Sequence, residues 1–283
     1  MFKRIRWKSV LILITWLVSL GGLIALMSFI GIRKNLLICQ DVKIIIPGTS
    51  SFIDRQEINS LLLKAEGTLV GKPVNDINIH HIENVLKGNP YIRDAKVYTD
   101  MDGAITIEIA QREPVLRILN YTSQDFYVDK DGYKIPSSLS YTPRVPVANG
   151  FIMESFSGRV DTLKTEVARN LYRTALFIQK DSLWNEQIEE MYVNDQKEIE
   201  LIPRVGDQRI LLGDADSLDI RFNNLKVFYK KVIPQVGWNA YKTINIKYCN
   251  QMVCEKNAAD SNIVGVKPEE NYLSEVTKNT EDN

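Results

Sequence analysis

The segment YIRDAKVYTDMDGAITIEIAQREP, Tyr91–Pro114, carries two strand patterns separated by a turn signal. Ile92, Ala95 and Val97 are inward in part in the first half, and Ile105, Ile107 and Ile109 alternate cleanly in the second. Asp102-Gly103 between them is the dipeptide of a tight hairpin. Period-two alternation predicts two antiparallel strands with one apolar face. A lone hairpin is marginal in water, so that face needs a cover.

The residues upstream supply it. Ile58, Leu61, Leu62 and Ala65 recur at helical spacing, between a cap at Ser51 or Asp54 and a stop at Gly67. Ile77, Ile79, Ile82, Val85 and Leu86 form a second stripe, ended by Gly88-Asn89-Pro90. Before both lies DVKIII, Asp41–Ile46, a β-branched run closed by Pro47-Gly48. Residues 38–113 therefore read as one βααββ domain.

Beyond Pro114 the period is mostly two. VLRILN, DFYVD and GYKIP read as short strands, with DKDG (Asp129–Gly132) as a hairpin turn. Pro143, Pro146 and Gly150 mark an irregular crossing, and Asp161 to Lys180 reads as a helix with Leu163, Val167, Leu171 and Ala175 on one face. EEMYV, EIELIP and QRILLG come next as strands, Ser217 opens a second helix, and YKTINIKY (Tyr241–Tyr248) is a final strand. Residues 114–255 are expected to form a mostly antiparallel β domain with two covering helices. The chain is thus of the α+β class.

At the other end, Ser9–Ile32 (SVLILITWLVSLGGLIALMSFIGI) runs 24 residues without a charge. As a helix it would span about 36 Å, enough to cross a hydrocarbon core. Lys3, Arg4, Arg6 and Lys8 precede it, and no acid occurs before Asp41. The expectation is a short cytoplasmic tail (residues 1–8), one transmembrane helix (9–32) and an exported remainder. A cleaved leader would have a shorter apolar core and a small-x-small site, and Phe29, Ile30 and Ile32 crowd the exit instead.

Charge and composition narrow the function. The first 34 residues hold six basic groups and no acid, which leaves 29 basic against 35 acidic residues afterwards. No basic patch points to nucleic acid. Residues 256–283 are acidic and aperiodic and read as a disordered tail. Cys249 and Cys254, near that end, are either free thiols or a bridge between strands that turn back on each other. His80-His81 points two ways from a helix with no acid or cysteine to complete a metal site. DKDG lacks carboxylates at the outer positions of a calcium loop. Nucleophile elbows, zinc helices and phosphate-binding glycine loops are missing from the sequence. A binding protein without catalysis, cofactor or metal is expected.

Several segments, taken in order, resemble the bacterial FtsQ/DivIB cell-division family. QREPV (Gln111–Val115) is similar to the segment that leaves that family's POTRA domain, a βααββ unit. FYVDKDGYKIP is similar to the hairpin after it, and RVPVANG to the segment beyond that hairpin. RVGDQRILLGDADSLDIRFNNL resembles the family's strand pair running into the last helix, and INIKY (Ile244–Tyr248) stands at its last strand. Asn245 and Lys247 depart from the acid and arginine usual there.

The resemblance implies a divisome scaffold in the cell inner membrane. Its bulk would be periplasmic and enriched at the septum. Its partners would be FtsB- and FtsL-like proteins, through which it helps control the septal peptidoglycan synthase complex of FtsW and FtsI. The expected partner-binding residues are Thr243, Ile244, Asn245, Ile246, Lys247 and Tyr248, on a strand whose free edge accepts a partner strand. The alternative is a POTRA-bearing component of envelope assembly or secretion. Such proteins continue into a membrane barrel, whereas here two helices interrupt the strands beyond the βααββ unit.

Overall fold

A computed structural model describes residues 14–25, 37–48 and 52–257. Residues 14–25 form helix α1 with exposed side chains. The rest of the expected span, 9–13 and 26–32, lies outside the described residues. Among those described, no helix is long and apolar enough to cross a membrane.

The chain divides into two compact units. The first takes in the described residues up to Pro114, with Phe126–Arg144 and Phe156–Thr162. It opens with the expected βααββ order: β1 (Val42–Ile45), α2 (Arg55–Glu66), α3 (Ile79–Lys87), β2 (Ile92–Thr99) and β3 (Ile105–Gln111). A single 3-10 turn, Val74–Asp76, precedes α3. The sheet order is β1-β3-β2, with β1 parallel and β2 antiparallel to β3.

Local chemistry sets the ends of these elements. The Asp54 carboxylate accepts from Glu57 N at 2.8 Å, and Gly67 (φ 72°) stops α2. Asn78 caps α3 by accepting from His81 N at 3.0 Å. Gly103 (φ 86°) is required twice over in the β2–β3 turn, since a Cβ there would sit 2.7 Å from the Ile38 carbonyl oxygen. Ile58, Leu62, Ile82, Leu86, Ile105, Ile107 and Ile109 close into one core.

The same unit holds β5 (Asp125–Asp129), β6 (Tyr133–Pro136) and β8 (Asp161–Thr162), an antiparallel ladder in that order. The DKDG turn forms as expected: Asp129 Oδ1 accepts from Asp131 N and Tyr133 N at 3.0 and 2.8 Å. The end of β3 meets the β5–β6 turn here. Arg112 donates to Asp129 Oδ2 at 2.6 Å, and Lys130 reaches Glu113 at 2.8 Å. The buried Gln111 accepts from Phe52 N and Ile53 N. Phe52 in turn stacks on Tyr91 (centroids 5.0 Å apart) and meets Tyr141 edge-on at 4.9 Å.

The second unit contains Val115–Asp125, Val145–Ser155 and the described residues from Leu163 onward. Its strands run β4 (Pro114–Leu119), β7 (Val147–Gly150), β9 (Ile188–Val193), β10 (Ile199–Pro203), β11 (Arg209–Gly213), β12 (Tyr241–Asn245) and β13 (Val253–Lys256), adjacent in that order. Helices α4 (Glu166–Lys180) and α6 (Leu218–Lys231) are the two expected, and the short α5 (Ser182–Gln187) and α7 (Ile233–Val236) add to them. Trp184 of α5 is buried against Phe222 and Tyr229 of α6, at 5.1 and 5.6 Å.

Outside the βααββ part, antiparallel pairings outnumber parallel ones. The parallel ones, β4–β7, β7–β9 and β11–β12, reflect the connections. The chain passes through α4 and α5 between β7 and β9, and through α6 and α7 between β11 and β12. A crossover of that length returns the strand in the same direction.

Three sequence readings need correction. The Pro143–Gly150 crossing contains β7, wedged between β4 and β9. The helix expected from Asp161 starts at Glu166, because Asp161–Thr162 pairs with β6 and Thr165 caps α4. Buried Glu154 receives Lys164 N and Thr165 N at that start. YKTINIKY is a strand only to Asn245, and a further strand lies beyond it.

The β11–α6 turn carries a pH-dependent contact. Buried Arg221 donates to the Leu212 and Asp214 carbonyls and to Asp214 Oδ1, the last at 2.8 Å. Burial pushes the Asp214 carboxyl up, but the Asp216 N–H and Arg221 outweigh it and hold the group below its ordinary value. A depressed folded pKa gives stability that is present above the unfolded value of about 3.9 and lost as pH falls through the folded one. Arg221→Met is expected to cost about 1–3 kcal/mol at pH 7 by leaving acceptors unpaired. In urea titrations the gap between wild type and variant should narrow below about pH 4. A gap independent of pH would remove Asp214 from the account.

Candidate functional site

The expected partner strand lies deep in the second unit. Ile244 and Ile246 point into the core and are fully buried. Tyr241 is held by the ring of Phe228 on α6 at 5.4 Å. The alternation of YKTINIKY therefore persists in the side chains to Ile246, although the ladder ends at Asn245. The ladder ends there for a local reason. Asn245 Oδ1 accepts from Lys247 N at 3.0 Å, an Asx turn that bends the chain away.

The six expected residues do not present a free edge. β12 pairs with β11 on one side, Arg209–Leu211 lying opposite Thr243–Asn245. On its other side β13 pairs antiparallel, Thr243 opposite Glu255 and Ile244 opposite Cys254. The expected open edge of β12 is thus occupied, by a strand at the border of the expected disordered tail. VCEK, with two charges in four residues and no sustained alternation, carries little strand signal of its own.

Lys247 is engaged within the fold. Its stem crosses Gly213, where a Cβ would lie 3.3 Å from Lys247 Cγ, and its ammonium pairs with Glu198. Tyr248 is 54% exposed, and Thr243 Oγ1 donates to Glu255 at 3.3 Å. Of the six, then, Tyr248 alone offers a large apolar surface to solvent.

Chemistry elsewhere is sparse. Cys39, Cys249 and Cys254 are free thiols. Burial pushes Cys254 up to about 11, so it stays a thiol at neutral pH and is a poor nucleophile. Among the described residues no group of three histidine, cysteine or acidic side chains could hold a metal ion. A depression of about 350 Å³ is lined by Phe151, Met153, Thr165, Glu166, Asn170 and Lys197 among others.

Residues 37–110 match the POTRA-like domain family, so the βααββ part is a POTRA-like domain in an α+β protein. Residues 113–255 match the family described as FtsQ/DivIB, C-terminal related, and the chain belongs to the FtsQ/DivIB family. Relatives include proteins titled cell division protein FtsQ from Rickettsia bellii, Rickettsia felis and Rickettsia conorii. Each is 29% identical over 84 residues, which is 30% of this chain and 31% of the relative. The match thus spans under a third of the length of those relatives.

Proposed function

We propose that this protein is a non-enzymatic division scaffold, anchored by the apolar run Ser9–Ile32, with its bulk outside the cytoplasmic membrane. Its POTRA domain (38–113) would stand next to the membrane, and residues 114–255 would form its β domain. The β12–β13 end of the second unit would hold FtsB- and FtsL-like partners and so act on septal peptidoglycan synthesis by FtsW and FtsI. The observation that carries this reading is the match of residues 113–255, which ends at the β12–β13 hairpin. A sheet end with backbone groups to offer fits recognition by strand addition. The polar side chains around β12 are engaged in structure, as Lys247 is with Glu198.

A fluorescent fusion should form a midcell band in dividing cells, and even membrane staining would overturn the division role. For the surface, the FtsB–FtsL-like pair of the same organism should co-purify with the full-length protein. Tyr248→Ala should weaken that binding by about tenfold or more, as truncation of an exposed aromatic anchor does. Lys247→Glu sets a second acid beside Glu198 and should weaken binding by loosening the turn after β12. Circular dichroism serves as the folding control. Equal retention by folded variants and wild type would place the interface elsewhere.

A further inference from the structure

β13 is held in an unusual balance. Its ladder to β12 slips between Tyr241 and Thr243, so that Lys242 has no partner in register. The side chains that tie it down are exposed: Glu255 reaches Lys242 at 3.4 Å and Thr243 at 3.3 Å. Val253 is 52% exposed, and only Cys254 turns partly inward. Past the strand, Asn257 N donates to the Ala240 carbonyl at 3.0 Å.

β12 has anchors besides this neighbour. Ile244 and Ile246 anchor it to the core, and Ile246 N donates to Leu211 O at 3.0 Å on the β11 side. A four-residue strand with one partly buried side chain opens at far lower free energy than core strands do. Its departure would leave β12 in place with a row of unpaired donors and acceptors.

We propose that β13 is an exchangeable strand, closing the edge of β12 until a partner strand takes its place. The inference rests on the partner-binding reading above and adds regulation to it. The occupant being replaced defines the chemistry of its replacement. The partner segment is extended, carries an acid where Glu255 faces Thr243 and Lys242, and puts a small apolar residue where Cys254 faces Ile244. Binding is then weakened by the fraction of molecules in which β13 is closed.

Two measurements test this on the full-length protein. In the free protein, the Asn257 amide should exchange with solvent at least ~100-fold faster than the Ile246 amide. Equal protection would mean that β13 belongs to the fixed sheet and would overturn the proposal whatever the partner does. For binding, Thr243→Cys with Glu255→Cys, the native cysteines changed to serine, places two thiols at directly opposed positions. Cross-strand Cα spacing of about 4.5–5.5 Å suits a disulfide. With the co-purified FtsB–FtsL-like pair as probe, the oxidised form should bind at least ~10-fold more weakly than the same protein reduced. Glu255→Lys, which sets two lysines together and loosens β13, should bind severalfold more tightly than wild type. Equal binding by oxidised and reduced protein would sink the exchange while leaving the partner reading intact. No binding by any form, wild type included, would overturn both.

Discussion

Arg112→Met is expected to lower the stability of the first unit by about 3–5 kcal/mol. The reason is the group left behind. Asp129 is 1% exposed and loses the guanidinium that lies 2.6 Å from its Oδ2. A carboxylate stranded at such depth has lost its counter-ion without regaining water. Its Oδ1 would still hold the Asp131 and Tyr133 amides, so the turn itself should survive. Adding Asp129→Asn to Arg112→Met removes the stranded charge but keeps the acceptor, and most of the loss should return. Urea unfolding of the single and double variants, monitored by hydrogen exchange across residues 91–136, makes the comparison. A double variant no more stable than Arg112→Met would show that packing of the arginine stem, not charge, was the cause.

Leu86→Ala carries the other large effect, a loss of about 2–5 kcal/mol through missing burial and a residual cavity. Leu86 is fully buried in the core that α2 and α3 form with the β-sheet. Leu62→Ala on α2 should fall in the same range toward its lower end, since that side chain keeps some exposure. Loss of amide protection in β3 at lower urea than wild type is the expected signature. Unchanged protection of Ile105–Gln111 would mean that the helices do not seal that face.

How much was legible differs between the parts for physical reasons. In the βααββ part each element carries its own signal, even though β1 pairs with the distant β3. Asp54 and Asn78 cap, Gly67 and Gly103 take positive φ, and the isoleucines alternate. Local chemistry and global fold agree there. β7 escaped because Val147–Gly150 is a short strand behind two prolines, with one fully buried residue, Ala148. Its identity as a strand comes from β4 and β9 on either side, which the chain reaches far apart in sequence. The same holds for β8, two residues long, which β6 recruits.

The candidate site divides along the same line. The inward face of β12 was readable, because Ile244 and Ile246 alternate with polar neighbours whatever lies beside the strand. The identity of the strand beside it was not, because edge pairing uses backbone groups that every residue possesses. Nothing in VCEK announces that it will pair with Ile244 and Asn245, nor in Lys247 that it will cross Gly213 to meet Glu198. By itself the sequence determined the α+β class, the βααββ unit and the helices that cover the second. Periodicity, caps and turns are local properties, and they sufficed for those. The tertiary structure alone decided the pairing of Arg112 with Asp129, the parallel strands and the closure of β12 by β13. Each of these depends on which backbone or charged group comes alongside, even from the next element in the chain as with β13, and no local pattern marks that choice.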